Sequence, residues 1–328
     1  IIGLLLVMFF GLGYTNAPNY GAKKLLLLTV QLILYLPIIP VLVKNMNLFT
    51  KLSGGFLILY IFSLFIEYDS FQKIIENTTS KSRLGGMGED ENNFHPIGIS
   101  RYIGFSLIPI VLNLFKKVKP LVLVVSLFLI LVSFGFLFLS ATRAPILAII
   151  LVILFRIAVV KFKRTRSSFI IISLVLALTS VFSIINENVN INDLYTSRFE
   201  NIDDEGRYGL QGSALLSVLD EPIIGYGTGN YGFFYTGVDA KVYPHNLFVE
   251  ILYENGILGL LILFLILFKG LINYKMIFKN EYSDVLFCSF VYFLVNAQFS
   301  SDIEGNILIF TFLIAFLYKN KFDKMNKN

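Results

Sequence analysis

The chain has no tryptophan, one cysteine and two histidines among its 328 residues, and only 15% of it is charged. A lone cysteine, Cys288, has no partner for an internal disulfide, and its apolar surroundings argue against redox chemistry. With His95 and His245 as the only histidines, a zinc site built on histidine and cysteine is excluded in practice. Oxygen-ligated magnesium or calcium stays open. The scarcity of charge, set against 56% apolar residues, excludes an ordinary soluble enzyme. What charge there is gathers in short runs between apolar stretches, so no polar block is large enough to fold alone, and residues 1–328 read as a single membrane domain. The first residue is isoleucine, and Ile1 to Tyr14 is apolar with no basic flank before it. That stretch reads as neither a complete signal peptide nor a whole span, and the sequence is expected to lack its start.

A helical crossing needs about 20 apolar residues. On that measure the sequence predicts an all-α, polytopic transmembrane helical bundle of about ten spans, at 1–14, 25–43, 52–67, 99–115, 120–141, 144–160, 168–185, 247–268, 285–300 and 303–318. The runs are continuously apolar rather than alternating, which excludes a β-barrel. An alternating assignment puts most of the 27 lysines and arginines on one side, among them Lys116, Lys117 and Lys119, then Lys161, Lys163, Arg164 and Arg166, and the basic C-terminal run. Of the 22 acids, all but Glu281, Asp284 and Asp323 fall on the other. By the positive-inside rule the basic side and the C-terminus are cytoplasmic. The net charge of +5 therefore marks topology, and no nucleic-acid binding is read into it. Two long loops, 68–98 and 186–246, face the exterior and are candidates for function. The second holds a helical pattern with Leu210, Ala214 and Val218 on one face and Leu215 and Leu219 beside it, predicting an interfacial helix against the outer leaflet. No internal repeat is visible, which weighs against an inverted-repeat transporter.

Ionisable residues at the span ends cluster on the outer side: Arg101, Arg143, Glu250, Glu254, Asp302 and Glu304. Charge next to hydrocarbon is costly and is a functional hypothesis by default. Arg143 sits in the tight Ser140-Ala-Thr-Arg-Ala-Pro145 hairpin, where an arginine either acts on substrate or snorkels to headgroups. Glu250 and Glu254 share one helix face, and Glu254 lies about 13 Å along the axis from His245. A loop arginine, a structural ion pair or a protonated carboxyl would each account for that depth. His245, in Pro244-His-Asn-Leu-Phe-Val-Glu250, can take a proton from a sugar hydroxyl near neutral pH or can be a hydrogen-bonded boundary residue. Arg198 and Arg207 lie among Glu200, Asp203, Asp204 and Glu205; they suit a clamp on a diphosphate, or local pairing with those acids. Gly225-Tyr-Gly-Thr-Gly229 lacks the strand and helix of a nucleotide loop and reads as a flexible turn.

Taken in order, Arg198, Arg207, Asp220-Glu-Pro-Ile-Ile-Gly-Tyr-Gly227 and Pro244-His-Asn-Leu-Phe-Val-Glu-Ile-Leu-Tyr-Glu-Asn-Gly-Ile-Leu-Gly259 resemble the O-antigen ligase and polymerase superfamily of bacterial membrane enzymes. Leu139-Ser-Ala-Thr-Arg-Ala144 is similar to that family's Ser-Arg-small hairpin, although Thr142 precedes the arginine and Tyr208 stands where many relatives carry tryptophan. The resemblance implies glycosyl transfer at the exterior face of the cytoplasmic membrane without metal or other cofactor, from a glycan linked through diphosphate to undecaprenol. It implies that Arg143, Arg198 and Arg207 hold the diphosphate and that His245 activates the acceptor hydroxyl. Arg101, Asn246, Glu250, Glu254, Gly225 and Gly227 are the further candidates for substrate contact. The expected activity is polymerisation of lipid-linked repeat units into a capsule, O-antigen or exopolysaccharide. A ligase passing finished glycan to a lipid core or protein is the alternative, and a non-catalytic transporter or flippase the rival of another class. Expected partners are the lipid-linked glycan, the bilayer, and a chain-length regulator or flippase of the same pathway.

Overall fold

The computed structural model describes residues 1–66, 96–115, 119–139, 143–159, 207–278 and 281–325. Among them every regular element is helical, as a bilayer requires of a chain that must satisfy its backbone within each segment. In order these are α1 (Ile2–Gly11), α2 (Pro18–Lys44), α3 (Met46–Ile66), α4 (Pro96–Leu114), α5 (Pro120–Leu139) and α6 (Arg143–Val159), then α7 (Arg207–Ser217), α8 (Asn230–Thr236), α9 (Leu247–Leu271), α10 (Glu281–Asn296) and α11 (Leu308–Met325). Short 3-10 turns at Tyr274–Phe278 and Glu304–Asn306 flank α10. Pro18–Lys44, Pro120–Leu137 and Leu247–Leu271 are long and apolar enough to cross a membrane, and shorter apolar helices cover Ile2–Gly11, Gly98–Leu114, Ala144–Ile157 and Tyr282–Asn296. The expected span at 168–185 and loop residues 68–95 and 186–206 lie outside the described residues.

The chain divides into two compact units, residues 1–45 with 203–328, and residues 46–202. In the second, α4 packs against α3, α5 and α6, and the buried serines Ser100, Ser106, Ser126 and Ser133 are the small side chains that let apolar helices approach closely.

The first unit carries the features developed below. Its helices α2, α9 and α11 start at one end, and α1 and α10 finish there. Backbone and side-chain bonds draw the connecting segments together at that end: the Asn16 amide donates to Asn230 Oδ1, those of Asn19 and Tyr20 to the Asp239 carboxylate, and that of Leu247 to the Ala297 carbonyl. Asp239 thereby caps the first turn of α2 from another part of the chain, placing negative charge at a helix N-terminus. α10 and α11 form an antiparallel pair bound by ring contacts, Phe287 with Phe316 at 5.2 Å and Phe293 stacked on Phe312 at 5.6 Å. Cys288 is buried in this pair. α1 runs along α9, while α7 and α8 cover its first half.

Candidate functional site

α9 starts at the end of the loop, and its first residues are fixed from several directions. Asn246 caps the helix, its Oδ1 accepting from the amides of Phe248 and Val249 at 3.0 and 3.2 Å. On α7, Gln211 Nε2 donates to the carbonyl of Pro244 at 3.1 Å. His245 lies between these two anchored residues and takes φ +57°, a left-handed conformation that costs a non-glycine residue about 1 kcal/mol. Its ring meets Tyr243 edge-on at 4.6 Å. The turn thus aims the imidazole by backbone strain and by neighbours on α7 and α9.

Nine residues after its start at Leu247, α9 breaks. Gly256 has φ +64° and ψ −166°, a region open only to glycine, so the amides of Ile257 and Leu258 leave the helix and donate to the carbonyls of Pro222 and Ile223 at 2.8 and 3.2 Å. The carbonyls of Tyr253 and Glu254 in turn accept from the amides of Tyr226 and Gly227 at 3.0 and 2.8 Å. These four bonds hold residues 222–227 against the broken helix, with Gly225, Gly227 and Gly229 buried. Its reading as a flexible turn is corrected. A Cβ at Gly225 would stand 2.5 Å from the Tyr253 carbonyl oxygen. These glycines are there for close packing of backbone on backbone, which composition cannot distinguish from mobility.

Below His245 lies a buried ionic cluster. Lys24 on α2 is completely enclosed; its ammonium donates to both Glu254 carboxylate oxygens at 2.8 and 2.7 Å and pairs with Glu250 Oε1. Glu250 Oε1 also accepts from the Ile303 amide at 3.2 Å. The sequence left the partner of these glutamates open, with a loop arginine as one choice, and the structure supplies a lysine instead. The physical reason is depth: α2 and α9 start at the same end, and residues 24 and 254 stand six and seven residues into them. The cluster continues through Tyr20, whose hydroxyl donates to Asp302 Oδ2 at 2.7 Å, to Lys241, which binds Glu304 at 2.7 Å and Asp302 at 3.4 Å. Burial would raise the Asp302 carboxyl, but Lys24, the Tyr20 hydroxyl, Lys241 and the Gly305 amide outweigh it and hold the group below its usual range. Burial likewise opposes charge on Lys241, and its contacts with Glu304 and Asp302 raise it above the ordinary lysine value.

Four carboxylates face two ammonium groups here, so the cluster itself would repel an anionic diphosphate. Its evident work is to tie α2, α9 and the turn between α10 and α11 into one base under the His245 loop. The structure therefore brings together six of the candidates named from sequence, His245, Asn246, Glu250, Glu254, Gly225 and Gly227. Arg207 opens α7, one turn before Gln211, which reaches Pro244. Arg101, half-buried on α4, and Arg143, which opens α6, belong to the other unit. Arg198 and His95 lie outside the described residues. Lys24, Tyr20, Lys241 and Gln211 escaped the sequence reading. A lysine on the rim of an apolar run was the available signal for Lys24; Gln211 offered none.

Residues 107–264 match the family model described as O-antigen ligase. No curated protein and no solved structure matches the chain. The matched stretch holds Arg143, Arg198, Arg207, the broken helix with its glycine-rich brace, and the whole His-Asn to Gly259 motif. Its relatives are membrane enzymes of the glycosyltransferase kind, ligases and polymerases. The match over residues 107–264 supports the resemblance of this chain to the O-antigen ligase and polymerase superfamily.

Proposed function

We propose that the protein is a membrane glycosyltransferase that polymerises undecaprenyl-diphosphate-linked oligosaccharide repeat units into a surface polysaccharide, with its site facing the exterior. The observation that supports this most is the strap from α7 to the His245 turn. Gln211 holds the carbonyl beside His245 and stands one helical turn along α7 from Arg207, which supports a base and a diphosphate-binding cation acting together. In the reaction the acceptor hydroxyl oxygen attacks the anomeric carbon of the donor. The bond from that carbon to the diphosphate oxygen breaks, and undecaprenyl diphosphate departs with the electron pair. His245 takes the hydroxyl proton as the new glycosidic bond forms. Arg207, Arg198 and Arg143 stabilise the charge that builds on the leaving diphosphate. No metal is required in this scheme, because the guanidinium groups supply the positive charge.

The second reading is a ligase, the activity that the matched family's description names. The two are separated by their products. Purified protein given a lipid-diphosphate oligosaccharide forms a ladder of lengthened glycans if it polymerises, and a single transfer to an added lipid core or protein if it ligates. His245→Ala and Arg207→Ala abolish either product, and chelator leaves the wild type unchanged. Equal activity of the wild type and both variants would remove the site assignment.

A further inference from the structure

α7 and the turn that follows it divide their apolar residues between two faces. Ala214 and Val218 are buried against Tyr231, Val249 and Tyr253. Leu216, Leu219 and Ile223 point the other way and are 72%, 77% and 70% exposed. Three large aliphatic side chains left bare beside one another mark a surface that has a partner.

The backbone shows what that partner is. Ile223 is bonded through its carbonyl to Leu258, and Pro222 to Ile257, at the break in α9. Up to Gly256 no residue of α9 is exposed; from Ile257 onward Ile257, Leu258, Leu261, Phe264, Leu265 and Phe268 are all bare on a helix long and apolar enough to cross a membrane. The exposed side of α9 therefore begins at the level of Ile223, the last of the three bare residues on α7 and its following turn. α1 and α2 mark the same level. Tyr14 donates its hydroxyl to the Ile224 carbonyl at 2.7 Å just beyond the bare Phe9 and Phe10, and on α2 exposed Lys23 gives way to exposed Leu26. Between Leu219 and Ile223 the turn presents Asp220 and Glu221 to solvent, charges that a hydrocarbon interior would not admit and a headgroup layer does.

We infer that Leu216, Leu219 and Ile223 insert into the leaflet on the His245 side, and that the hydrocarbon boundary runs at the level of Gly256. The consequence for the site is a fixed height. Gly256 lies nine residues below the start of α9, so the His245 turn stands about 13 Å above the boundary, with α7 anchored in lipid below and strapped to Pro244 above. This placement is independent of the chemistry proposed for His245.

The absence of tryptophan from the sequence makes the test direct, since a single introduced indole is the only one in the molecule. Leu219→Trp and Leu216→Trp are prepared in the full chain, confirmed monodisperse, and reconstituted into phosphatidylethanolamine and phosphatidylglycerol vesicles. A parallel set of vesicles contains phosphatidylcholine brominated near the headgroup end of its acyl chains. Leu265→Trp on the bare side of α9 is the lipid reference, and N-acetyltryptophanamide in buffer the aqueous one. Leu216→Trp and Leu219→Trp are both expected to emit to the blue of the aqueous reference, to lose intensity to brominated lipid as Leu265→Trp does, and to resist iodide. Quenching by iodide without a response to brominated lipid overturns the inference in favour of a water-facing helix. Shielding from both quenchers overturns it in favour of a protein covering the face.

Discussion

His245 has a left-handed backbone, lies between two anchored residues, Pro244 and Asn246, and meets Tyr243 with its ring. Strain kept in a non-glycine residue implies that the side chain is needed where the strained backbone aims it. The two effects separate by substitution. His245→Ala keeps the unfavourable φ and loses the imidazole, whereas His245→Gly loses both. Glycine at 245 is therefore expected to give a protein more stable than the alanine variant by about 1 kcal/mol, measured as a shift in thermal midpoint in detergent, with both equally inactive in glycan transfer. A glycine variant no more stable than alanine would mean that the turn is not strained. Sequence named His245 from the motif around it, but it held no sign of the left-handed turn, because a φ angle is set by what surrounds the residue on both sides. The same holds for Glu250 and Glu254: their depth was legible from spacing, and the lysine that answers them was not, because it comes from 226 and 230 residues away in a separate helix.

Among the elements, α9 bears most of the architecture. Its break at Gly256 is bridged by four backbone bonds exchanged with residues 222–227, which join helix and glycine-rich stretch. A Cβ at Gly256 would stand 2.2 Å from the Ile223 carbonyl oxygen, in a backbone region that L residues avoid. Gly256→Ala is thus expected to destabilise the protein by about 3 kcal/mol or more, read as loss of the monodisperse peak on heating. Wild-type behaviour would show that the break is dispensable. The link from α2 to α9 through Lys24 makes a different prediction, since a buried pair is fragile when half removed and replaceable when removed whole. Lys24→Met alone leaves two glutamates enclosed without a cation and is expected to cost about 3 to 5 kcal/mol. Lys24→Met combined with Glu250→Gln and Glu254→Gln is expected to recover most of that loss. If the triple variant is no more stable than the single one, the ion pairs are not what joins the helices. The spacing of Ala214 and Val218 turned that apolar face toward the outer leaflet, and the structure corrects this: the face is buried against Tyr231, Val249 and Tyr253.

At the scale of the molecule, the first unit is electrically polarised along its helices. Asp220, Glu221, Asp239, Asp302 and Glu304 collect at the end where His245 stands, while Lys44, Lys269, Lys275, Lys319 and Lys321 mark the other. The positive-inside rule then predicts the His245 end to face the exterior. Because the one natural cysteine is buried, a Cys288→Ser background carrying Asn19→Cys or Lys321→Cys reports orientation. A membrane-impermeant maleimide applied to intact cells should label position 19 and spare 321, and the reverse pattern would turn the protein over and remove the exterior site. The sequence by itself determined what depends on the solvent. Apolar runs too long for a soluble core, basic residues segregated from acidic ones and the ordered family motifs fixed an all-helical membrane chain and a candidate histidine, since each of these is local and one-dimensional. Only the tertiary structure decided which helices share a depth, that Lys24 lies between Glu250 and Glu254, and that a stretch of glycines mends a broken helix. Those outcomes depend on groups far apart in the chain competing for one another once water is gone, and no short window of sequence contains both competitors.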